Sequence, residues 1–390
     1  MKNITILGAT GSIGRSALNV YKNFIDNLHI HAISVHTDIQ AMLRVIDQCR
    51  PDIAVVADEQ ACRQHFGAFS AEYGSTKIVC GSEGLQQICS DCEADIVLNA
   101  ISGQAGLLPS VWVLSSGTDL ALANKESMVC GGDILRSLAS QYGDKIIPVD
   151  SEHSAIFQLL RDKSDKDVTR LIITASGGPF RTRDKATFAD ITVAEALAHP
   201  TWSMGRKISI DSATLANKGL EVIEAHQLFG FDYDRINVLV HPQSLIHSMI
   251  EMTDGEIYAQ IGPKDMSLPI QNSLFYPDIR QNGYNRLDLT KGLTLELLPT
   301  DMDKFRMLSF AYHVGRRGGL WTSFYNSVNE ILVARFLHEQ IRFTDIESGM
   351  ERALEYFDAD NSIDKATVTL ENIQRVQNLS GTIVQQLFGE

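Results

Sequence analysis

Asp150 and Glu152 stand two residues apart, directly after the short apolar run Ile146–Val149. In an extended chain such residues point the same way, so the pair presents two carboxylates to one side. Two hard oxygen donors on one short segment suit Mg²⁺ or Mn²⁺, although an exposed acidic turn has the same composition. A second group lies on the stretch Asp211–Phe229, which reads as one helix ended by Gly230. Asn217, Lys218 and Glu221 share a face there, with Ser212 near its start. Glu221 is a candidate third metal ligand, while Ser, Asn and Lys are the donors that a phosphate needs. The other side of the stretch already supplies Leu220, Ile223 and Leu228 to a core.

Three further segments have the make-up of site loops. Thr174–Phe180 places Ser176 on the glycine turn Gly177-Gly178, which is suited to an anion. His199-Pro200-Thr201-Trp202-Ser203-Met204-Gly205 combines a His and an aromatic with hinge-like residues, as a lid would. Asn124-Lys125-Glu126 follows the strand-like Asp119–Leu122, at the carboxyl end of a sheet where ligands bind. Asn124 reads equally well as a helix N-cap.

The segment Gly8-Ala9-Thr10-Gly11-Ser12-Ile13-Gly14 follows one strand and opens one helix. Gly8 permits a sharp turn, Gly11 permits close approach of a pyrophosphate, and Gly14 permits tight helix–strand packing. The context makes this a nicotinamide-dinucleotide site in a G-x-x-G-x-x-G variant often seen with NADP. The ribose of the adenosine should be read by His36-Thr37-Asp38, at the end of the second strand. An acid there usually binds the 2′-hydroxyl of NAD, but Asp38 also suits the N-cap of a helix beginning at Ile39.

The elements that must hold these residues follow from periodicity. Up to about residue 150, short apolar runs alternate with helical patterns, the mark of βαβ units in a doubly wound parallel sheet. One of those helices is expected at Glu59–Glu72. Residues 150–275 are mixed, with strands at Leu171–Thr174 and Asn237–His241 and a strand pair turning at Asp254-Gly255. The segment 276–304 lacks a strong period and reads as a linker. From 305 only helices are expected, at 305–314, 323–340, 344–357 and 366–388, with Thr344 and Glu347 as a capping box. The expected fold is α/β, in three domains. A Rossmann-type parallel sheet (1–149) precedes a central α+β catalytic domain (150–275) and a C-terminal helical domain (305–390).

Of the 390 residues, 44% are hydrophobic and 21% charged, which is globular rather than disordered. A net charge of −14 repels phosphate backbones, so no nucleic-acid partner is expected, and an anionic substrate must be held by local donors. No apolar run reaches the length of a bilayer span, and the chain becomes strand-like at once. No membrane association and a cytoplasmic location are therefore expected. Among six cysteines only Cys89 and Cys92 form a C-x-x-C pair, without further ligands at comparable spacing. All six are expected as free, mostly buried thiols.

These segments together resemble the 1-deoxy-D-xylulose 5-phosphate reductoisomerases. The likeness rests on Gly8–Gly14, Leu122–Ser127, Pro148–His153, Ser176–Phe180 and His199–Ser209. It continues through Asp211–Thr214, Asn217–Glu221 and His241-Pro-Gln-Ser-Leu-Ile-His247, in that order. The resemblance implies that Asp150, Glu152 and Glu221 bind Mg²⁺, Mn²⁺ or Co²⁺. It implies that Ser176, Ser212, Asn217 and Lys218 hold the substrate phosphate. Lys125, Ser151, Glu152 and His199 would meet the sugar, and Trp202 and Met204 would close over it. Gly8, Thr10, Gly11, Ser12, Ile13, His36, Thr37, Asp38, Asn124, Glu126 and Gly205 would contact NADPH. Lys125, Asp150, Glu152, His199 and Glu221 would be catalytic.

The reaction implied is rearrangement of 1-deoxyxylulose 5-phosphate and reduction by NADPH, giving 2-C-methyl-D-erythritol 4-phosphate, in a homodimer. Two departures stand out. Ala9 replaces the usual Ser, and His36-Thr37-Asp38 stands where the family has a small residue, then Lys or Ser, then Asn. NADPH remains the expected cofactor, with His36 and backbone amides assisting. A metal-independent semialdehyde or hydroxy-acid dehydrogenase, or a non-catalytic NADP-binding sensor, would share the N-terminal fold. The three carboxylates and the full lid weigh against the sensor, and activity that survives chelator would favour the dehydrogenase.

Overall fold

Runs such as Ile53–Val56 and 96–98 are apolar without alternation, as strands covered on both faces require. The computed structural model describes residues 1–389 except 68, 69, 144, 203, 282 and 285. It begins β1 (Lys2–Leu7), α1 (Ser12–Asn23), β2 (Leu28–Val35), α2 (Ile39–Cys49), β3 (Ile53–Val56) and α3 (Glu59–Phe66). Next come β4 (Ser70–Tyr73), β5 (Thr76–Cys80), α4 (Gly81–Ser90), β6 (Ile96–Asn99) and α5 (Leu107–Ser115). Then follow β7 (Asp119–Leu122), α6 (Lys125–Tyr142), β8 (Ile146–Pro148) and α7 (Ser151–Leu159).

The first eight strands form one sheet in the order β4-β5-β3-β2-β1-β6-β7-β8. All pairings are parallel except that of β4 with β5. The order reverses at β1, whose neighbours are β2 and β6, so a ligand crevice opens beyond the carboxyl ends of β1 and β6.

The chain continues as β9 (Val168–Ala175), α8 (Val193–Leu197), α9 (Arg206–Thr214), α10 (Ala216–Phe229), β10 (Ile236–Val240), β11 (Ile246–Met252) and β12 (Ile257–Ile261). After α11 (Ser267–Phe275) and the two-residue β13 (Leu298–Pro299) come the helices α12 (Arg306–Arg317), α13 (Trp321–Leu337), α14 (Phe343–Ala359) and α15 (Leu370–Phe388). A second sheet has the order β12-β11-β9-β10-β13, with β9 and β10 parallel and the other pairs antiparallel.

Two compact units result. The first comprises Met1–Ser127, Leu135–Ser154 and Asp265–Asn285; the second comprises Met128–Ile134, Ala155–Lys264 and Arg286–Glu390. In the first unit α11 lies on α1, where Phe24 and Phe275 have ring centroids 4.8 Å apart and Lys2 Nζ donates to the Leu274 carbonyl at 2.9 Å. In the second, Phe180 contacts Phe343 of α14 at 5.3 Å and Phe188 at 6.1 Å, which fixes the turn after β9 to the helices. No described helix is long and apolar enough to cross a membrane.

Several expectations need correction. The helix expected at 59–72 stops at Phe66, capped by Gly67 with φ of 70°, and β4 follows as an edge strand. The stretch 211–229 is not one helix. Leu215 adopts φ of 58° and ends α9 while starting α10. The left-handed residue lets the second helix leave in a new direction. Thr344 does not cap α14, which starts one residue earlier, and the Asp345 carboxylate accepts from the Arg342 amide at 2.8 Å. Cys62 and Cys80 are joined in a disulfide, because α3 brings Cys62 against the end of β5 with Cα atoms 5.7 Å apart; Cys49, Cys89, Cys92 and Cys130 are free.

Candidate active site

The glycine turn is shaped by crowding. Gly8 has φ of 78°, and a Cβ there would lie 2.8 Å from the Ala100 carbonyl oxygen at the end of β6. A Cβ on Gly14 would lie 2.4 Å from the Gly8 carbonyl oxygen. Only glycine therefore allows α1 to start tight against the sheet, and no side chain caps its N-terminus at Gly11. That end offers amide donors and partial positive charge to a pyrophosphate. Thr10, Ser12 and Ile13 are exposed or half-buried around this turn, and Arg15 donates to the Thr10 carbonyl at 2.6 Å. The residues present thus fit a dinucleotide.

His36, Thr37 and Asp38 are exposed at the end of β2. The Asp38 carboxylate accepts from the Ala41 amide at 3.0 Å, so it is the N-cap of α2. Across the crevice, Asn124 caps α6 by accepting from the Ser127 amide at 2.9 Å. Its amide nitrogen donates to the carbonyls of Ile101 (2.6 Å) and Gly103 (2.7 Å), and reaches Glu126 at 3.3 Å. Asn124 therefore clamps the loop after β6 beside the cofactor crevice. Buried Asn99 holds the same loop from below, bonding the Gly106 carbonyl and Ser110 at 2.8 Å each.

The acidic segment is placed differently from expectation. The chain is extended only to Pro148; α7 begins at Ser151, so Glu152 sits in a helical first turn and the alternation argument does not apply. Helix N-termini favour acidic side chains, which accounts for their position. The Asp150 carboxylate lies 2.7 Å from Lys125 Nζ and 3.6 Å from His153 Nδ1. Burial alone would push this carboxyl up, but Lys125 and His153 outweigh it and hold it well below the usual carboxylate range. Ser151 Oγ donates to Glu152 at 2.5 Å.

In the second unit, Ser176 Oγ lies 3.1 Å from His199 Nε2. Gly178, with φ of 67°, has its Cα side against α9; a Cβ would lie 2.6 Å from the Ser212 carbonyl oxygen. The glycine turn thus packs the loop that carries Ser176 against the backbone of α9 at Ser212. His199 Nδ1 accepts from the amides of Trp202 (2.9 Å) and Thr201 (3.2 Å), which folds residues 199–202 around the ring. Burial, with the charge of Lys218 adding to it, holds the imidazole below its usual range. Trp202 and Met204 are half-buried, exposed Gly205 caps α9, and Ser203 lies outside the described residues.

The break at Leu215 puts Asn217 and Lys218 in the first turn of α10, so amides and helix dipole join them in favouring an anion. Asn217 Nδ2 donates to Glu221 Oε1 at 2.6 Å and Lys218 Nζ to Oε2 at 2.5 Å. The carboxylates Asp150 and Glu152 of the first unit and Glu221 of the second are each hard oxygen donors, the chemistry that suits a divalent cation such as Mg²⁺.

Sequence reasoning missed the brace behind α9. Buried Asp211 accepts from Asn329 Nδ2 of α13 at 2.7 Å and pairs with Lys207 at 3.0 Å. Asn326, Asn329 and Glu330 among the buried apolar residues of that helix were the available signal.

A dinucleotide crevice at a sheet reversal, with carboxylates and phosphate donors elsewhere in the chain, defines a nicotinamide-dependent oxidoreductase. Family models for 1-deoxy-D-xylulose 5-phosphate reductoisomerase match residues 4–132, and for its C-terminal domains residues 146–229 and 261–380. The chain belongs to the 1-deoxy-D-xylulose 5-phosphate reductoisomerase family. A relative of that name from Clostridium acetobutylicum is 42% identical, covering 98% of this chain and 100% of its own. One from Chloroherpeton thalassium is 45% identical, covering 93% and 94%. A crystal structure of DOX-P reductoisomerase with NADPH, fosmidomycin and magnesium is 36% identical and covers 99% of both chains with a TM-score of 0.90. The Zymomonas mobilis enzyme with NADPH is 35% identical, at the same coverage and a TM-score of 0.87.

Proposed function

We propose that the protein converts 1-deoxy-D-xylulose 5-phosphate to 2-C-methyl-D-erythritol 4-phosphate with NADPH and a divalent cation, a step in making isoprenoid precursors. The observation that carries this reading is the turn at Leu215, which sets two phosphate donors, Asn217 and Lys218, one helical turn from the carboxylate of Glu221. When bound, NADPH supplies hydride and the cation supplies Lewis acidity toward the sugar oxygens.

The chain's own groups do the rest. Gly8, Gly11 and the first turn of α1 hold the pyrophosphate, with Thr10, Ser12, Ile13 and the 36–38 turn around the nucleotide. Asn124, Glu126 and Gly205 complete the cofactor contacts. Asp150, Glu152 and Glu221 hold the cation, with Ser151 beside them. Asp150 is held ionised, as a ligand must be. Lys125, paired with Asp150, orients the sugar and can hold or release a proton at Nζ. Ser176, Ser212, Asn217 and Lys218 bind the phosphate, and His199 donates from Nε2. Trp202 and Met204 shield the site from water, driven by phosphate binding remote from the reacting carbons.

In functional terms we divide the chain into 1–149 for the cofactor, 150–275 for catalysis, 276–304 as a linker and 305–390 as helical support, although residues 265–285 fold into the compact unit that carries the glycine turn. The protein works as a cytoplasmic homodimer. The dimer is supported by edge strand β12, whose apolar Ile257, Tyr258 and Ile261 are 57%, 42% and 44% exposed. The direct test is NADPH oxidation at 340 nm with 1-deoxyxylulose 5-phosphate. Oxidation that requires both sugar phosphate and Mg²⁺ is expected; oxidation unaffected by chelator would refute the reading.

A further inference from the structure

Glu221 carries a donor on each oxygen, Asn217 Nδ2 at 2.6 Å and Lys218 Nζ at 2.5 Å. The pair is nearly dry, with the Lys218 and Glu221 side chains only 7% and 1% exposed. In such surroundings an ammonium and a carboxylate compensate each other, and separating them without replacements is costly. Yet the function proposed above needs both apart: the donors on a phosphate and the carboxylate on a cation.

We propose that Asn217 and Lys218 are positioning residues for Glu221 as well as phosphate donors, so that phosphate binding releases the carboxylate to the cation. This inference rests on the proposed function. A phosphate dianion gives Lys218 and Asn217 a replacement acceptor, and a divalent cation gives Glu221 a replacement charge. A cation arriving alone meets a carboxylate already neutralised, and its charge is repelled by the ammonium. A phosphate arriving alone draws two donors away from a buried carboxylate, which is costly. When both are present each removes the other's cost, so the two ligands strengthen each other's binding by the same factor. The short reach of both donors, at i−4 and i−3 on one helical turn, allows the exchange without moving the backbone. Selection for a phosphorylated sugar then acts through the cation as well as through direct phosphate contacts.

The test measures Mn²⁺ binding to the full chain by electron paramagnetic resonance, with and without saturating methyl phosphate and corrected for Mn²⁺ held by the ester. Occupancy of the ester is read by phosphorus NMR on a metal-free sample. The Mn²⁺ dissociation constant should fall about tenfold with the ester, within the range common for coupled sites. Asn217→Ser, which removes one hold on Glu221, should tighten Mn²⁺ binding in the absence of ester and shrink the ester's effect. An unchanged constant with the ester bound overturns the coupling, and an ester that does not bind removes the phosphate assignment and the coupling with it. Glu221→Gln separates the two failures. Wild-type Mn²⁺ affinity in that variant overturns the metal assignment itself, whereas weakened affinity without an ester effect in the parent overturns the coupling alone.

Discussion

His199 Nε2 stands 3.1 Å from Ser176 Oγ, and because Nδ1 already accepts two backbone amides, Nε2 is the nitrogen that carries the proton. The ring is thus a fixed donor at neutral pH rather than a base. Its pKa is lowered by burial first and by Lys218 second, so the folded protein disfavours the imidazolium. Its contribution to stability is full above the unfolded value near 6.5 and is lost as pH falls through the lower folded value.

The same sign applies to turnover. The acid limb of kcat/KM is expected below pH 6.5, where a proton on Nδ1 would face the amides of Thr201 and Trp202. His199→Gln keeps a donor near Nε2 but leaves those two amides without their acceptor. A loss of about ten- to a hundredfold in kcat/KM is expected, at about 1 kcal/mol or more per lost bond. Steady-state pH profiles and nitrogen NMR of the tautomer check both statements.

Glu221→Gln should lower kcat about a thousandfold or more, since Lewis-acid assistance is worth several kcal/mol. NADPH binding, followed by quenching of protein fluorescence, should be unchanged. In the parent, chelator should abolish turnover and Mg²⁺ or Mn²⁺ should restore it.

Asp38 caps α2, which gives its charge a structural purpose at the position where a 2′-phosphate is expected. Asparagine caps as well as aspartate but without the charge. Asp38→Asn should raise the preference for NADPH over NADH by about two- to fivefold, the scale of an exposed charge interaction. Asp38→Ala should cost about 1 kcal/mol of stability in thermal unfolding. The ratio of kcat/KM for the two cofactors is the measurement.

Gly178→Ala places a Cβ 2.6 Å from the Ser212 carbonyl oxygen at a positive φ. Left-handed backbone costs such a residue about 1–2 kcal/mol before the overlap is counted. KM for the sugar phosphate should rise about tenfold or more while KM for NADPH stays constant, because the cofactor crevice is built from other segments.

Ile261→Lys puts a charge on the exposed apolar edge of β12. Sedimentation velocity should show a dimer for the parent and a shift to monomer for the variant, with secondary structure by circular dichroism unchanged.

The parallel strands of the first sheet and most of the C-terminal helices were legible because apolar runs and glycine turns are local signals. Gly8, Gly14 and Gly178 were legible for the same reason, since crowding leaves only glycine. The break at Leu215 was not legible: a leucine gives no sign of a left-handed conformation, and tertiary contacts decide it. The helical start at Ser151 was masked by the continuous run from β8, and the Cys62–Cys80 bond depends on two elements meeting in space. The Asp211–Asn329 contact joins residues 118 positions apart, beyond any spacing rule.

The nucleotide-binding unit is not an N-terminal module. It closes only when residues 265–285 return to lay α11 on α1. A fragment ending near residue 150 would expose Phe24 and strip Lys2 of its partner at Leu274, so a loss of stability is expected. In an exchange of the first 150 residues between relatives, the chimera that also takes the later strap from the same parent is therefore expected to be the more stable one.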